Sequence, residues 1–417
     1  MDVQSWDAEL RAFVTECCSF ETTAGNERPA QEWFLERLET AGFETYTWDA
    51  DAETLAAHPS FPDDPAEIDV ADRPSVAGVL EFGDPDVGRT LVLNGHIDVV
   101  PTGAGWAGDP FEPRWHDGRL TARGAVDMKS GLAACLFAAR HLAETADDLD
   151  GRLVVESVAG EEDGGIGAAM AALENPYPFE RDAAIIAEPT ALRPVTAVEG
   201  SLMVRLGLEG RSAHAATRWR GDSVLPAFDL VRRELRAFES ERSETVTHPL
   251  YEAYPIPWPI CVGRVEAGRW ASSVADTLTA EVRVGVAPGE TVTEVERSLR
   301  DRLESLRSES DWPSGIEGPT LERFSVQFEP AEIEADEPVV RALQAGLSTI
   351  EATETEPQGA TYGADSRHYV EAGIPTVLFG PGNIEQAHFP EETIEWESVL
   401  EATAVLAETA RRYLQTE

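Results

Sequence analysis

Glu161 and Glu162 stand side by side in Gly160-Glu161-Glu162-Asp163-Gly164-Gly165, after the apolar run Leu153 to Ala159 and before the alanine-rich segment Ile166 to Leu173. The pattern predicts a strand, a turn and a helix, so two like charges share one turn. Adjacent carboxylates repel unless a cation or a proton intervenes. In so acidic a chain an isolated pair reads as a solvated turn, but this pair has company. Asn94-Gly95-His96-Ile97-Asp98, Ala187-Glu188-Pro189 and Gln386-Ala387-His388-Phe389 each deliver a His or Glu after an apolar run, and Gly124-Ala125-Val126-Asp127-Met128-Lys129 delivers an Asp. His96, Asp127, Glu162, Glu188 and His388 together give two imidazoles and three carboxylates, a donor set suited to Zn2+ or a similar divalent ion. Singly, each has a plainer reading: His388 as a satisfied core histidine, Glu188 as a helix-entry charge before a proline. Five at successive predicted strand ends favour a joint function. Two cations close together need one ligand that touches both, usually a carboxylate.

The elements that must hold these groups follow from periodicity. Thr90 to Asn94 is an apolar run, as in a strand buried on both faces of a mixed or parallel sheet covered by helices, and His96 sits just past its end. Open sheets of this kind bind ligands beyond the carboxyl ends of their strands. Helical periodicity covers Trp6 to Ala41, ending at Gly42, and recurs at Gly131 to Glu144, Pro338 to Ile350 and Trp396 to Tyr413. Asp49 to Asp72, acidic and proline-containing, reads as a surface insertion. Around Glu199 the register changes. Leu202 to Leu208 alternates like a half-buried strand; a helix near Ser223 to Phe238, strands at Ile260 to Glu266 and Thr277 to Val286, and a helix at Thr291 to Leu306 follow. The expected architecture is an α/β catalytic domain from residues 1–198 and 323–417, its sheet mixed but mostly parallel and covered by helices. A smaller α+β lid domain, residues 199–322, is inserted in it.

The chain has 417 residues, 33 basic against 77 acidic, for a net charge of −44. Such a surface excludes nucleic acid and anionic membranes as partners, because binding to them requires protein cations. Lys129 is the only lysine. Molar salt shrinks the Debye length to roughly 3 Å and screens the self-repulsion, so the acidity reads as adaptation to a salt-rich cytoplasm. Cys17, Cys18, Cys135 and Cys261 show no metal or disulfide spacing and are expected to be reduced and buried. No leader segment and no apolar stretch of membrane-spanning length is seen, which predicts a soluble cytoplasmic protein.

The segments NGHIDVVP, RGAVDMKSG, GEEDGG, AEPT, GRSAHAA and GADSRHYVEAGIPTVLFGPGNIEQAHFPEE run in order from about Thr90 to the end. Together they resemble the co-catalytic zinc family of acetylornithine deacetylase, succinyl-diaminopimelate desuccinylase, aminoacylase and carboxypeptidase G. The resemblance implies two Zn2+ per subunit, with Co2+ or Mn2+ as substitutes, bridged by Asp127. Glu162 and His388 would complete one site, Glu188 and His96 the other. Asp98 would accept from the far nitrogen of His96, and Glu161 would be the general base that takes a proton from water and passes it to the leaving amine. Arg367 matches the substrate-carboxylate arginine. Arg283, in the lid's last strand, looks like a second, with a solvated strand-face charge as its plainer reading. Gly382, in Gly380-Pro381-Gly382, would permit close backbone approach. His214, which on its own reads as structural, would reach into the partner subunit's site to stabilise the developing oxyanion, which requires a homodimer through the lid. The Asp127–Met128 peptide bond is expected to be cis. One departure is the asparagine this family often carries in the lid before the strand of Arg283: Trp270 or Ser272 stands there instead.

The sequence thus reads as a dinuclear zinc amidohydrolase that removes an N-acyl group from an amino acid-like amine, resembling acetylornithine deacetylase of amino-acid biosynthesis. The alternatives are a small-peptide exopeptidase of the same family and an inactive binding homologue; Glu161 together with all five ligands argues against the last.

Overall fold

The computed structural model describes residues 6–146, 148–308, 311–350 and 354–415. In spatial order, Glu44–Trp48, Ser75–Phe82, Gly151–Val158, Arg89–His96, Ala183–Ile186, Thr376–Leu378, Val195–Val198 and Ala331–Glu332 form one mixed sheet, with Gln358–Ala360 paired to Val195–Val198. From Gly151–Val158 to Thr376–Leu378 the strands are parallel, while Glu44–Trp48 and Ser75–Phe82 on one side and Ala331–Glu332 on the other pair antiparallel. A parallel centre needs cover on both faces, and Leu91, Leu93, Leu153, Val154 and Val155 are fully buried. Helices Lys129–Thr145 and Trp396–Leu414 pack on each other and on Arg89–His96; Asp7–Cys18 lies against the first and Pro338–Gly346 against the second. Lys129 is buried at its helix start, its Nζ donating to the Phe20 carbonyl at 2.9 Å. Among the described residues no helix is long and apolar enough to cross a membrane.

A second, antiparallel sheet runs in the order Ile260–Ala267, Thr277–Val286, Gly200–Glu209, Glu317–Arg323. Helices Leu225–Thr245 and Val292–Arg307 cover one face; the latter starts from a reciprocal cap between Thr291 and Glu294. Leu202, Val204, Leu206 and Leu208 point into a core separate from that of the large sheet, while Arg205 and Glu209 point out. The flanking strands Val195–Val198 and Ala331–Glu332 pair with each other in the large sheet, so the smaller α+β unit is an insertion.

Four expectations change. Glu317–Arg323 is a strand that periodicity missed, because Gly318, Pro319 and three charged residues leave Leu321 as its one buried side chain. Arg283 therefore lies in a central strand, not the last. Asp49 to Asp72 is more than a surface insertion: Leu55, Phe61 and Ile68 are buried against Ile166, Ala169 and Met170. Trp6 to Ala41 forms two helices, Asp7–Cys18 and Arg28–Thr40. All four cysteines are free, but Cys261 is exposed, since alternation along its strand turns Ile260 and Val262 toward the core and Cys261 away.

Candidate metal centre

His96 ends a central strand, and its Nδ1–H donates to the carbonyl of Asp98 at 2.9 Å. That bond leaves Nε2 facing Asp127 Oδ1 at 3.0 Å. Asp127 lies in the loop before helix Lys129–Thr145, just ahead of a cis Asp127–Met128 bond. Its second oxygen, Oδ2, is 3.5 Å from His388 Nε2, which lies 3.2 Å from Glu162 Oε1. Two sets of three potential ligand atoms result, His96–Asp127–Glu188 and Asp127–Glu162–His388, each within 4.8 Å. Asp127 belongs to both sets and offers each histidine a different oxygen. His388 departs from the expected strand end. It follows the short turn Ile384–Gln386, has a left-handed backbone, and is half exposed, whereas His96, Asp127 and Glu188 are buried.

The charges around this set suit bound cations. Burial, then the nearby Asp365, pushes the Glu161 carboxyl well above the usual carboxylate range; burial and Asp127 do the same to Glu188. Burial also opposes ionisation of Asp127, but hydrogen bonds from His388 and His96 outweigh it and hold that carboxyl well below the usual range. Carboxylates crowded in a buried pocket with two imidazoles are the donor chemistry that divalent ions neutralise, so the residues present fit a pair of them.

Asp98 has a different task from the one expected. Its Oδ1 accepts from the N–H groups of Gly160 at 2.8 Å and Glu161 at 3.2 Å, and its Oδ2 from Glu162 at 3.0 Å. The carboxylate thereby fixes the turn that carries both glutamates, and it stays 3.7 Å from His96 Nδ1, whose proton goes to the Asp98 carbonyl instead. The turn closes at Gly165, where φ is +77° and a Cβ would strike the Asp365 carboxylate.

Asp127, Glu161, Glu162, Glu188 and His388 line a cavity of about 220 Å³ together with Ser201, Arg283, Phe328, Tyr362, Gly363 and Ile384. Of the residues expected to meet substrate, Arg283 reaches this cavity, its Nη1 held 3.0 Å from Glu199 Oε1. Arg367 does not line it: 2% exposed, it donates to the Gly164 carbonyl at 2.6 Å and lies 4.1 Å from the Phe328 ring centre. Gly382 lines a neighbouring cavity with Ala191 and Leu192. His214 is exposed on the inserted unit, its Nδ1 accepting from Ala216 N–H at 3.1 Å, and is not among the described residues lining the cavity. Sequence reasoning missed Tyr362, Phe328 and Glu199. Tyr362 immediately precedes GADSRH and Glu199 is a lone acid between two apolar strands, both readable signals; Phe328 offered none. Burial outweighs the Arg283 charge at Glu199 and lifts its carboxyl to about 8.

The profile of Peptidase family M20/M25/M40 matches residues 92–412. Acetylornithine deacetylase of Myxococcus xanthus is 30% identical over 407 residues, covering 97% of each chain. N-formyl-4-amino-5-aminomethyl-2-methylpyrimidine deformylase of Bacillus subtilis is 27% identical over 425 residues, 97% of this chain and 94% of that one. Human carnosine dipeptidase 1 shares the fold at a TM-score of 0.74 and 17% identity, over 99% of this chain and 98% of that one.

Proposed function

This chain belongs to peptidase family M20/M25/M40, metal-dependent hydrolases of amide bonds, and we propose that it is a dinuclear zinc deacylase that releases an amino acid-like amine from its N-acyl form. The observation that carries this reading is Asp127, whose two oxygens face separate histidine and carboxylate sets in a cavity that also contains Arg283. Two relatives named for removing an acetyl and a formyl group favour acyl release over peptide cleavage.

His96, Asp127 and Glu188 would hold one ion, and Asp127, Glu162 and His388 the other. When bound, such ions polarise the scissile carbonyl and lower the pKa of a water beside it. Glu161, as the carboxylate, takes a proton from the attacking water and, as the carboxylic acid so formed, delivers it to the amine nitrogen as the C–N bond breaks. Asp98 keeps Glu161 and Glu162 in register by binding the N–H groups of their turn. Arg283, oriented by Glu199, pairs with the substrate carboxylate. His214 serves the cavity of a partner copy, donating to the developing oxyanion; its exposure on the inserted unit supports that role.

The test is hydrolysis of a panel of N-acyl amino acids and dipeptides in molar KCl, with and without a chelator. Acyl amino acids should be turned over faster, with activity lost on chelation and restored by Zn2+. Preference for dipeptides would make the protein an exopeptidase, and chelator-insensitive turnover would remove the metals from the mechanism.

A further inference from the structure

On the reading that Asp127 and His388 hold metal ions, we propose that Glu392 is the positioning residue that sets the shape of the Asp127 loop and ties it to the His388 loop. Glu392 is fully buried and does not line the cavity. Its Oε1 accepts from the backbone N–H groups of Val126 at 2.7 Å and Asp127 at 3.1 Å. Its Oε2 accepts from Gly124 N–H at 3.1 Å and from Arg123 Nη1 at 2.7 Å. Four donors converge on one carboxylate, three of them from the loop that delivers Asp127. Backbone pairing extends the connection: Ala122 N–H donates to the Glu392 carbonyl, and Thr393–Glu395 pairs antiparallel with Arg119–Thr121. His388 precedes Glu392 by one short loop, so the two side chains that meet at 3.5 Å are anchored on one small piece of sheet.

The chemistry of the anchor is specific. A carboxylate has acceptors only, and every partner here is a donor. A glutamine of the same size would turn an NH2 group toward two of these donors and leave them buried and unpaired, which frees the loop to rearrange. Groups that orient a metal ligand without touching the metal typically contribute 10- to 100-fold to metal affinity.

Glu392→Gln and Glu392→Asp are compared with wild type as metal-free protein in molar KCl. Zn2+ is titrated calorimetrically, the Co2+ form is recorded in the visible region, and the metal-free forms are melted. Wild type that takes up no Zn2+ would defeat the metal reading itself. With wild type binding, Glu392→Gln should lose about 10- to 100-fold in Zn2+ affinity and shift the Co2+ bands. Glu392→Asp, which keeps the charge and the acceptors, should recover part of both. A folded Glu392→Gln protein with unchanged affinity and unchanged Co2+ bands would overturn the proposal, whatever its melting temperature. Should Glu392→Gln not fold, Glu392→Asp decides: a shortened acceptor that leaves both readouts at the wild-type values equally overturns it.

Discussion

Replacing Arg283 with methionine separates two jobs that one guanidinium performs. Its first is toward the cavity, where it is the only arginine among the lining residues described. Hydrogen bonds to a charged partner contribute about 1.5–3 kcal/mol each, so Arg283→Met should raise KM for an N-acyl amino acid by about 10- to 150-fold with kcat little changed. Its second is toward Glu199, fully buried and pushed to about 8 by burial. A carboxyl whose folded pKa is raised binds its proton more tightly in the native state. Its stabilising contribution is full below the unfolded value of 4.5 and is lost as pH rises through about 8. At about pH 6 Glu199 is protonated and losing Arg283 costs one hydrogen bond, about 1 kcal/mol. At about pH 9.5 it is ionised, and removing its cation leaves a buried charge alone at about 3–5 kcal/mol. Urea unfolding in molar KCl should show the Arg283→Met penalty growing with pH. The double variant with Glu199→Gln should abolish that growth without restoring KM. A penalty flat in pH would refute the assignment of Glu199 as the titrating partner, and an unchanged KM would refute Arg283 as the carboxylate contact.

Glu161→Gln should retain Zn2+ in a calorimetric titration while losing about 10²–10⁴ in kcat, the usual worth of a positioned proton carrier. Glu162→Gln should also weaken Zn2+ binding; equal metal loss in both would erase the distinction between the two neighbours. Lowering KCl from molar to about 0.1 M lengthens the Debye length to about 10 Å, so the melting temperature should fall steeply with 44 uncompensated negative charges, and a salt-independent melt would contradict it. Mixing inactive Glu161→Ala with inactive His214→Ala subunits should restore activity if His214 acts on a partner copy; no recovery despite demonstrated exchange would confine it to its own chain or remove it from catalysis.

What the sequence displayed was whatever periodicity and strand ends control. His96, Glu162 and Glu188 follow apolar runs that read as buried strands, so the place of each was readable, and the inserted unit announced itself where the uninterrupted runs gave way to alternation at Leu202. Side-chain direction was another matter. Arg367 lies in a motif that suggests substrate contact, yet it is spent on the Gly164 carbonyl behind the turn. Asp98, two residues from His96, offers that ring its main-chain oxygen because its carboxylate is saturated by three N–H groups from a distant segment. Glu392 looked like one more acid in an acidic chain. The edge strand Glu317–Arg323 was invisible because a strand with one buried side chain has no alternation to read.

The burial of Lys129 leaves the exterior of the described residues without a lysine amine, and every other basic side chain apart from the histidines is an arginine. Exposed ammonium groups would discharge near pH ~10.4, whereas guanidinium groups stay charged beyond ~12. The positive part of the surface is therefore constant far into the alkaline range. The acids that could titrate there are largely interior: burial pushes the Cys18 and Cys135 thiols and the Tyr177 and Tyr369 phenols upward. Amine-directed cross-linkers and acylating reagents likewise find no lysine within reach, so a protein that by this reading handles acyl groups exposes no lysine for a reactive acyl compound to modify.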